Sequence, residues 1–217
     1  KISPTNFEDV DIDYPKKSDG RELVLYRHQK RAISKWEENN HQGIMAVATG
    51  GGKTIIAIKA VELADKSKFV IVIVPKKILQ KQWADEIKEI VPNSKIMLVG
   101  GISEEKWETT LPGLIQSYRF VDPSKKTKQI RRTFIVATQA TASMDKFIQI
   151  LSSVDPSHVQ LVVDEVHNMG SPSGLKIMNI PSERRMGLSA THIRKFDEEG
   201  TEKIEQFFGG VVFEYSI

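Results

Sequence analysis

The sequence contains no cysteine and no long apolar run. Without cysteine, neither disulfide bonds nor thiolate metal sites can form. No uninterrupted apolar stretch approaches the roughly 18 residues of a membrane-spanning helix, and the opening residues, Lys1-Ile2-Ser3-Pro4, lack the apolar core of a signal peptide. We therefore expect a protein of a reducing, cytoplasmic compartment with no membrane partner.

No single sign of charge dominates, because 31 Lys and Arg residues face 28 Asp and Glu residues and leave a formal charge of +3. This excess alone does not indicate nucleic-acid binding, since a solvated surface explains it equally well. The 217 residues, 40% of them apolar, can bury the core of one large domain or two small ones. Regular spacing favours one domain over 23–217. Residues 1–22, acidic and then polar, are interpreted as a lead-in or linker, and the initial lysine favours an excised or processed chain.

Strand-like and helix-like segments alternate along the rest of the chain. The β-branched run 69–74 is typical of a strand buried on both faces. The pattern predicts strands at 43–48, 69–74, 95–99, 133–137, 159–163, 184–188 and 211–215. It predicts helices at 23–40, 53–65, 76–91, 140–151 and 201–208, with an irregular excursion over 103–132. The fold class is therefore α/β, with a mostly parallel sheet, helices on both faces and ligands at the carboxyl ends of the strands.

The segment Thr49-Gly50-Gly51-Gly52-Lys53-Thr54, the glycine loop, joins the first strand to a helix. Successive glycines allow positive φ angles, so several N–H groups can converge on one phosphate at the helix N-terminus. Lys53 would then reach the β- and γ-phosphates, and the Thr54 hydroxyl would ligate Mg²⁺. The longer phosphate-loop pattern requires glycine at position 47, where this chain has valine. A glycine-rich turn followed by a surface lysine is the alternative.

A second polar motif, Asp164-Glu165-Val166-His167, follows the strand predicted at 159–163. Carboxylates at the end of a buried strand are costly unless a cation or hydrogen bonds compensate. Asp164 would hold the Mg²⁺ ion shared with Thr54, through water, and Glu165 would polarise the water that attacks the γ-phosphate. A charged turn after a strand is the alternative interpretation.

The order of these motifs resembles the first RecA-like domain of superfamily two helicases of the DEAD/DEAH-box group, in their DNA-repair and restriction-enzyme form. Gln29 precedes the glycine loop, and Ser189-Ala190-Thr191 follows the acidic motif. The resemblance implies that Gln29 contacts adenine, that His167 links the ATP site to Ser189-Ala190-Thr191, and that these three residues couple ATP to movement. Taken alone, a glutamine on a helix is usually solvated.

The same resemblance implies nucleic-acid contacts at three further places: Lys76 and Lys77, Gly100 and Gly101, and Thr138 and Gln139. Their N–H, hydroxyl and ammonium groups would hold the sugar-phosphate chain. A solvated helix start is the alternative for the lysine pair, and Trp83 is expected to pack into the core rather than stack on a base. A basic cluster would widen this contact or form a solvated loop; it consists of Arg119, Lys125, Lys126, Lys128, Arg131 and Arg132.

By this resemblance the chain is the ATP- and Mg²⁺-binding motor domain of a DNA helicase or translocase, with DNA favoured over RNA. The arginine finger that completes such a site would come from a second RecA-like domain absent from this chain. We therefore expect the chain alone to hydrolyse ATP slowly or not at all. Two alternatives stay open: a duplex translocase of a restriction or remodelling system, and a nucleotide-gated scaffold or kinase-like module.

Overall fold

The computed structural model describes residues 23–63, 68–102, 106–119, 132–190 and 198–216. The predicted lead-in at 1–22 lies outside this range, as do Thr191 and the basic cluster from Lys125 to Arg131. Among the described residues, no helix is long and apolar enough to cross a bilayer.

Within the described residues, seven strands form one sheet in the order β3-β4-β2-β5-β6-β1-β7. Every neighbouring pair is parallel. The bounds are β1 Gln42–Val47, β2 Phe69–Val74, β3 Lys95–Val99, β4 Thr133–Thr138, β5 Val159–Asp164, β6 Arg184–Ser189 and β7 Val211–Tyr215. The predicted α/β class with a parallel sheet is confirmed, and all seven strands were found from the sequence.

Eight helices flank this sheet in the described part of the chain. They are α1 Arg27–Glu38, α2 Lys53–Leu63, α3 Lys77–Ile90, α4 Trp107–Arg119, α5 Gln139–Ala142, α6 Asp145–Leu151, α7 Pro172–Leu175 and α8 Glu198–Phe208. Trp36 of α1 and Trp83 of α3 belong to the core cluster on one face of the sheet. Phe147 of α6 and Phe208 of α8 belong to the cluster on the other face.

The sheet supplies both of these cores by alternation. Val70 and Val72 of β2 join one cluster, whereas Ile71 and Ile73 join the other, as the period of two along a strand requires. All six residues of β2 are buried, which accounts for its unbroken apolar sequence. Each such side chain contributes about 1.5–3 kcal/mol by leaving water.

The prediction of an irregular excursion over 103–132 was wrong for residues 107–119, which form α4. The internal Pro112 argued against a helix, because it lacks the N–H that would bond to the carbonyl of Glu108. Trp107, Leu111, Leu114 and Ile115 are nevertheless spaced along one face and are buried against the sheet. Tertiary burial therefore outweighs the single hydrogen bond that the proline removes.

The single helix predicted over 140–151 is two helices, α5 and α6. Met144 between them is extended, with φ −73° and ψ 131°. The Ser143 hydroxyl donates to the Ala140 carbonyl oxygen at 3.0 Å, which offers the backbone a local alternative to helix. α1 also begins later than predicted: Leu23 and Leu25 are buried but precede the helix, which starts at Arg27.

Candidate functional site

The glycine loop lies at the carboxyl end of β1, where it turns the chain into α2. Gly50 and Gly52 have φ angles of 85° and 79°, in the left-handed region that glycine adopts without steric cost. The Gly51 N–H donates to the Ala48 carbonyl oxygen at 2.9 Å, and the Ile56 N–H donates to that of Gly52 at 3.0 Å, in the first turn of α2. The loop therefore has the positive-φ glycines expected before a helix N-terminus.

Lys53, the first residue of α2, extends toward the acidic motif after β5. Its ammonium lies 3.9 Å from Oε1 of Glu165 and donates to the Val47 carbonyl oxygen at 3.3 Å. β6 lies between β1 and β5 in the sheet, so the glycine loop after β1 and the acidic motif after β5 meet over the end of β6. The structure thus brings together the lysine and the acidic motif that the sequence placed about 110 residues apart.

Asp164, the last residue of β5, is held through both carboxylate oxygens. Oδ1 accepts the N–H of Glu165 at 3.0 Å, and Oδ2 accepts the indole Nε1–H of Trp83 at 3.0 Å. Trp83 is buried, with 2% of its surface exposed, as predicted. The polar contact of its indole N–H was not predicted from the sequence.

Glu165 and His167 continue the site toward the end of β6. Glu165 has φ 47° and ψ 54°, a left-handed conformation that costs a non-glycine residue about 1–3 kcal/mol and often marks functional sites. Its Oε2 lies 3.5 Å from Nδ1 of His167, and that same nitrogen is 2.8 Å from the Ser189 hydroxyl oxygen. The chain of contacts runs from Lys53 to Ser189; Ala190 follows β6 and is half-buried.

Gln29 lies against the glycine loop. It is buried, its Oε1 accepts the Tyr26 N–H at 2.9 Å, and a Cβ added to Gly52 would overlap its amide nitrogen. The solvated alternative for Gln29 was therefore wrong. The sequence analysis also missed His28, whose Nε2 donates to the Gly51 carbonyl oxygen at 2.9 Å and whose ring stacks on Tyr215 at 4.0 Å.

A buried glutamine, Gln80, organises the strand ends on the other side of β5. Its Nε2 lies 3.2, 3.3 and 3.1 Å from the carbonyl oxygens of Val99, Gly100 and Val136, and its Oε1 accepts the Ile102 N–H at 3.2 Å. These contacts, the Gln80 network, join α3, the loop after β3 and strand β4. Gln80 was missed, although a glutamine on an otherwise apolar helical stripe with Trp83 and Ile87 was the available signal.

The predicted nucleic-acid residues divide into packed and exposed groups. Gly100 and Gly101 have φ angles of 64° and 68° and pack on Thr141 and Gln80 respectively. Thr138 is buried, and its Oγ1 accepts the Thr141 N–H at 3.3 Å.

The other members of this set differ in their surroundings. Lys76 and Lys77 are exposed at the start of α3. The Gln139 amide nitrogen is buried and has no hydrogen-bond partner in the described part of the chain. Of the basic cluster, Arg132 donates to the Glu62 carbonyl oxygen at 3.0 Å.

Thr54, the second residue of α2, and Asp164, the last residue of β5, supply oxygen atoms from the two segments that Lys53 and Glu165 bring together. Across the described ranges, no group of three or more His, Asp or Glu side chains is arranged to hold a metal. Mg²⁺ seldom uses such a cage, because it keeps several waters and takes the remaining oxygens from substrate phosphates. A threonine hydroxyl and a carboxylate from these two segments are oxygen ligands of the kind that fit Mg²⁺ together with a nucleotide.

Residues 22–194 match the family model described as type III restriction enzyme, res subunit. Since the match covers most of the chain, the protein belongs to this family, which is part of helicase superfamily two and comprises ATP-dependent motor domains of helicases and restriction enzymes. The predicted membership of helicase superfamily two and the RecA-like fold are thereby confirmed, and assignment to the DEAD/DEAH-box group stays a prediction.

The relatives that the chain matches include proteins named as DNA helicases and proteins named as RNA helicases. The chain is 25% identical over 177 residues to a putative DNA 3'-5' helicase Rad25 of Halobacterium salinarum, covering 82% of this chain and 25% of the relative. It is 29% identical over 195 residues to a putative ATP-dependent RNA helicase, QP509L, of African swine fever virus, covering 84% and 31%. The chain thus spans about a quarter to a third of the length of these relatives.

A solved structure shows the same fold. The UvsW helicase from bacteriophage T4 superposes with a TM-score of 0.60 at 18% identity, covering 94% of this chain and 64% of the other. The likeness establishes a common RecA-like architecture.

Proposed function

We propose that this chain is the ATP-binding half of a nucleic-acid motor. It binds ATP at the glycine loop and, with a second RecA-like domain, couples hydrolysis to movement along DNA. The observation that carries the proposal is the 3.9 Å approach of Lys53 to Glu165. That approach supports a shared site in which Lys53 binds phosphate and Glu165 activates water.

Each part of the site has a role in this proposal. The N–H groups of the glycine loop bind the phosphates, and Lys53 neutralises the β- and γ-phosphate charge. Thr54 and Asp164 hold Mg²⁺, which when bound offsets charge on the transferring phosphoryl group. The Glu165 carboxylate accepts the proton of the attacking water.

Two contacts extend the site on either side. Gln29, packed on Gly52, reaches the adenine base from the helix before the glycine loop. His167, in contact with both Glu165 and Ser189, carries the change in phosphate occupancy toward β6 and the Ser189-Ala190-Thr191 segment. The second domain supplies the arginine that completes charge stabilisation, so the domain described here hydrolyses ATP slowly by itself.

A nucleotide-binding titration tests the first half of the proposal. Lys53→Ala should weaken binding of fluorescent ATP in the presence of Mg²⁺ by about 100-fold, which corresponds to about 2.7 kcal/mol. Lys176→Ala is the control, because this lysine forms an exposed ion pair with Asp145 at 2.9 Å. Equal affinity of Lys53→Ala and wild type would refute the assignment.

DNA is the proposed track. The relatives named above include a putative DNA helicase and a putative RNA helicase, and the family description refers to restriction enzymes, which act on DNA. The exposure of Lys76 and Lys77 at the N-terminus of α3 supports a contact with backbone phosphates, because ammonium groups and free helix N–H groups both attract phosphate.

Charge reversal tests this second half. Lys76→Glu with Lys77→Glu should weaken binding to single-stranded DNA at least 10-fold. The decrease of log affinity with log salt should become shallower, its slope falling in magnitude by about 1–2. The control, Lys88→Glu with Lys95→Glu, makes the same change in charge at the far end of α3 and the amino end of β3. Equal losses of affinity for both pairs would show that the effect comes from overall charge and not from a specific contact of Lys76 and Lys77. Tighter binding to an RNA of the same sequence would exclude DNA as the preferred track.

The family description favours one alternative, a translocase that moves on duplex DNA without separating strands. On the parent protein, displacement of a third strand from a triplex, with no unwinding of a forked duplex, would favour the translocase. Unwinding of the fork would favour the helicase.

A further inference from the structure

We propose that Trp83 is a positioning residue for the metal: its indole N–H fixes the orientation of the Asp164 carboxylate and thereby sets the affinity for Mg²⁺. The inference rests on the proposed nucleotide site. It adds a residue of α3, outside the phosphate loop and the acidic motif, to the determinants of metal binding.

The geometry around Asp164 carries the inference. One carboxylate oxygen receives the N–H of Glu165 and the other receives the indole of Trp83, each at 3.0 Å. With one donor on each oxygen, rotation of the carboxylate about its Cβ–Cγ bond would break both hydrogen bonds. Each oxygen keeps a lone pair for the ion or its water. Partners of this kind, which orient a metal ligand, commonly change metal affinity 10- to 100-fold.

An indole suits this task for two reasons. It is a donor without acceptor capacity, so it cannot compete with the carboxylate for a proton of metal-bound water. It is also neutral and bulky, and Trp83 is 2% exposed, so its position is set by the packing of α3 against the sheet. The hydrogen bond therefore transfers the rigidity of the core to a side chain at the site.

Packing alone does not account for the choice of partner. A buried indole N–H needs an acceptor, and a main-chain carbonyl is sufficient. Trp36, which is fully buried on the same face of the sheet, donates to the Arg185 carbonyl oxygen at 2.9 Å. Trp83 donates instead to the proposed metal ligand. Trp83 and Trp36 are therefore similar in burial and in the length of the indole hydrogen bond, and they differ in the acceptor.

The matched pair provides the experiment. Trp83→Phe and Trp36→Phe each keep an aromatic ring and lose one N–H donor. Binding of fluorescent ADP to the full chain is titrated at increasing Mg²⁺ and in EDTA. Trp83→Phe should raise the Mg²⁺ concentration for half-maximal binding about 10-fold and leave binding in EDTA unchanged, whereas Trp36→Phe should shift neither more than 2-fold.

The outcomes separate this inference from the proposed function. Equal Mg²⁺ requirements for the two variants would overturn the role of Trp83 while the nucleotide site stands. A parallel loss of binding in EDTA would overturn it also, because that loss indicates a disturbed loop and not a metal effect. Absence of Mg²⁺-dependent binding in wild type would refute the proposed function itself.

A second measurement leaves Trp83 in place and so does not depend on the variant folding. The chain has three tryptophans, and each gives one indole ¹H–¹⁵N resonance. Replacing the charged acceptor with a neutral one in Asp164→Asn should weaken the hydrogen bond and move the Trp83 resonance upfield, with the Trp36 resonance unchanged. A Trp83 resonance that stays in place would contradict the contact. Trp36→Phe and Trp107→Phe assign it by elimination.

Discussion

At the carboxyl edge of the sheet, charged side chains that follow β1 and β5 approach one another, whereas a buried, neutral network joins α3 to the ends of β3 and β4. In the first region the contacts of Glu165 with Lys53 and His167 measure 3.9 and 3.5 Å, and the Glu165 side chain is 30% exposed. In the second, Gln80 is fully buried and makes four hydrogen bonds of 3.1–3.3 Å. The charged groups of the proposed nucleotide site are thus partly exposed and separated by long contacts. Backbone that must keep its shape is held by a buried amide.

The comparison predicts that the two regions respond oppositely to substitution, and the largest effect on stability should come from Gln80→Leu. Leucine has a similar volume but leaves the carbonyls of Val99 and Val136 without their buried donor, and each such group costs about 1–3 kcal/mol. We expect a loss of about 3 kcal/mol, measured by urea unfolding. Gln82→Leu is the control, because its amide bonds only Glu86 on the exposed face of α3 and should change stability by less than about 0.5 kcal/mol. Similar losses of stability for Gln80→Leu and Gln82→Leu would contradict a special structural role for the buried amide of Gln80.

Gly101→Ala should have an intermediate effect. The position has φ 68°, and the added Cβ would overlap the Gln80 amide oxygen, which its hydrogen bond holds in place. We expect a loss of about 2 kcal/mol in the same unfolding assay. The control is Gly113→Ala in α4, where a Cβ meets nothing within 4 Å. It should stabilise the protein by about 0.5–1 kcal/mol. Stabilisation by both substitutions would contradict a strained, tightly packed Gly101.

Lys53→Met should have the smallest effect on stability, within about 0.5 kcal/mol, because its ion pair is long, at 3.9 Å, and the Glu165 side chain left behind is 30% exposed and stays solvated. The same variant should lose nucleotide binding, while the control Gln82→Leu keeps it. Unfolding and nucleotide titration on one preparation check both expectations. A loss of several kcal/mol would mean that the charged region also holds the fold together.

Most of the fold could be predicted from the sequence because the strands are short, nearly continuous apolar segments. A sheet covered on both faces needs apolar residues at nearly every strand position, so runs such as 69–74 stand out without alignment or structure. Helix α4 was hidden for the opposite reason. Pro112 is a local signal against helix, and the burial that overrides it involves strands distant in the sequence.

The site divides in the same way. The glycine loop and the acidic motif are each a continuous stretch of sequence, so their residues could be named. The approach of Lys53 to Glu165 agrees with the prediction that the two motifs form one site. The contact of Trp83 with Asp164 spans 81 residues and joins a residue of the acidic motif to a tryptophan that its helical spacing marks only as part of the core. No local pattern encodes it. Gln80 was detectable, because a polar residue on a buried helical stripe requires an explanation that solvation does not give.

Tyr215, the last residue of β7, connects the edge of the sheet to the glycine loop. Its ring stacks on His28, which in turn donates to the carbonyl oxygen of Gly51. Since β7 is the edge strand beside β1, the glycine loop is braced from two strands: from β1 through the chain itself, and from β7 through one ring contact and one hydrogen bond.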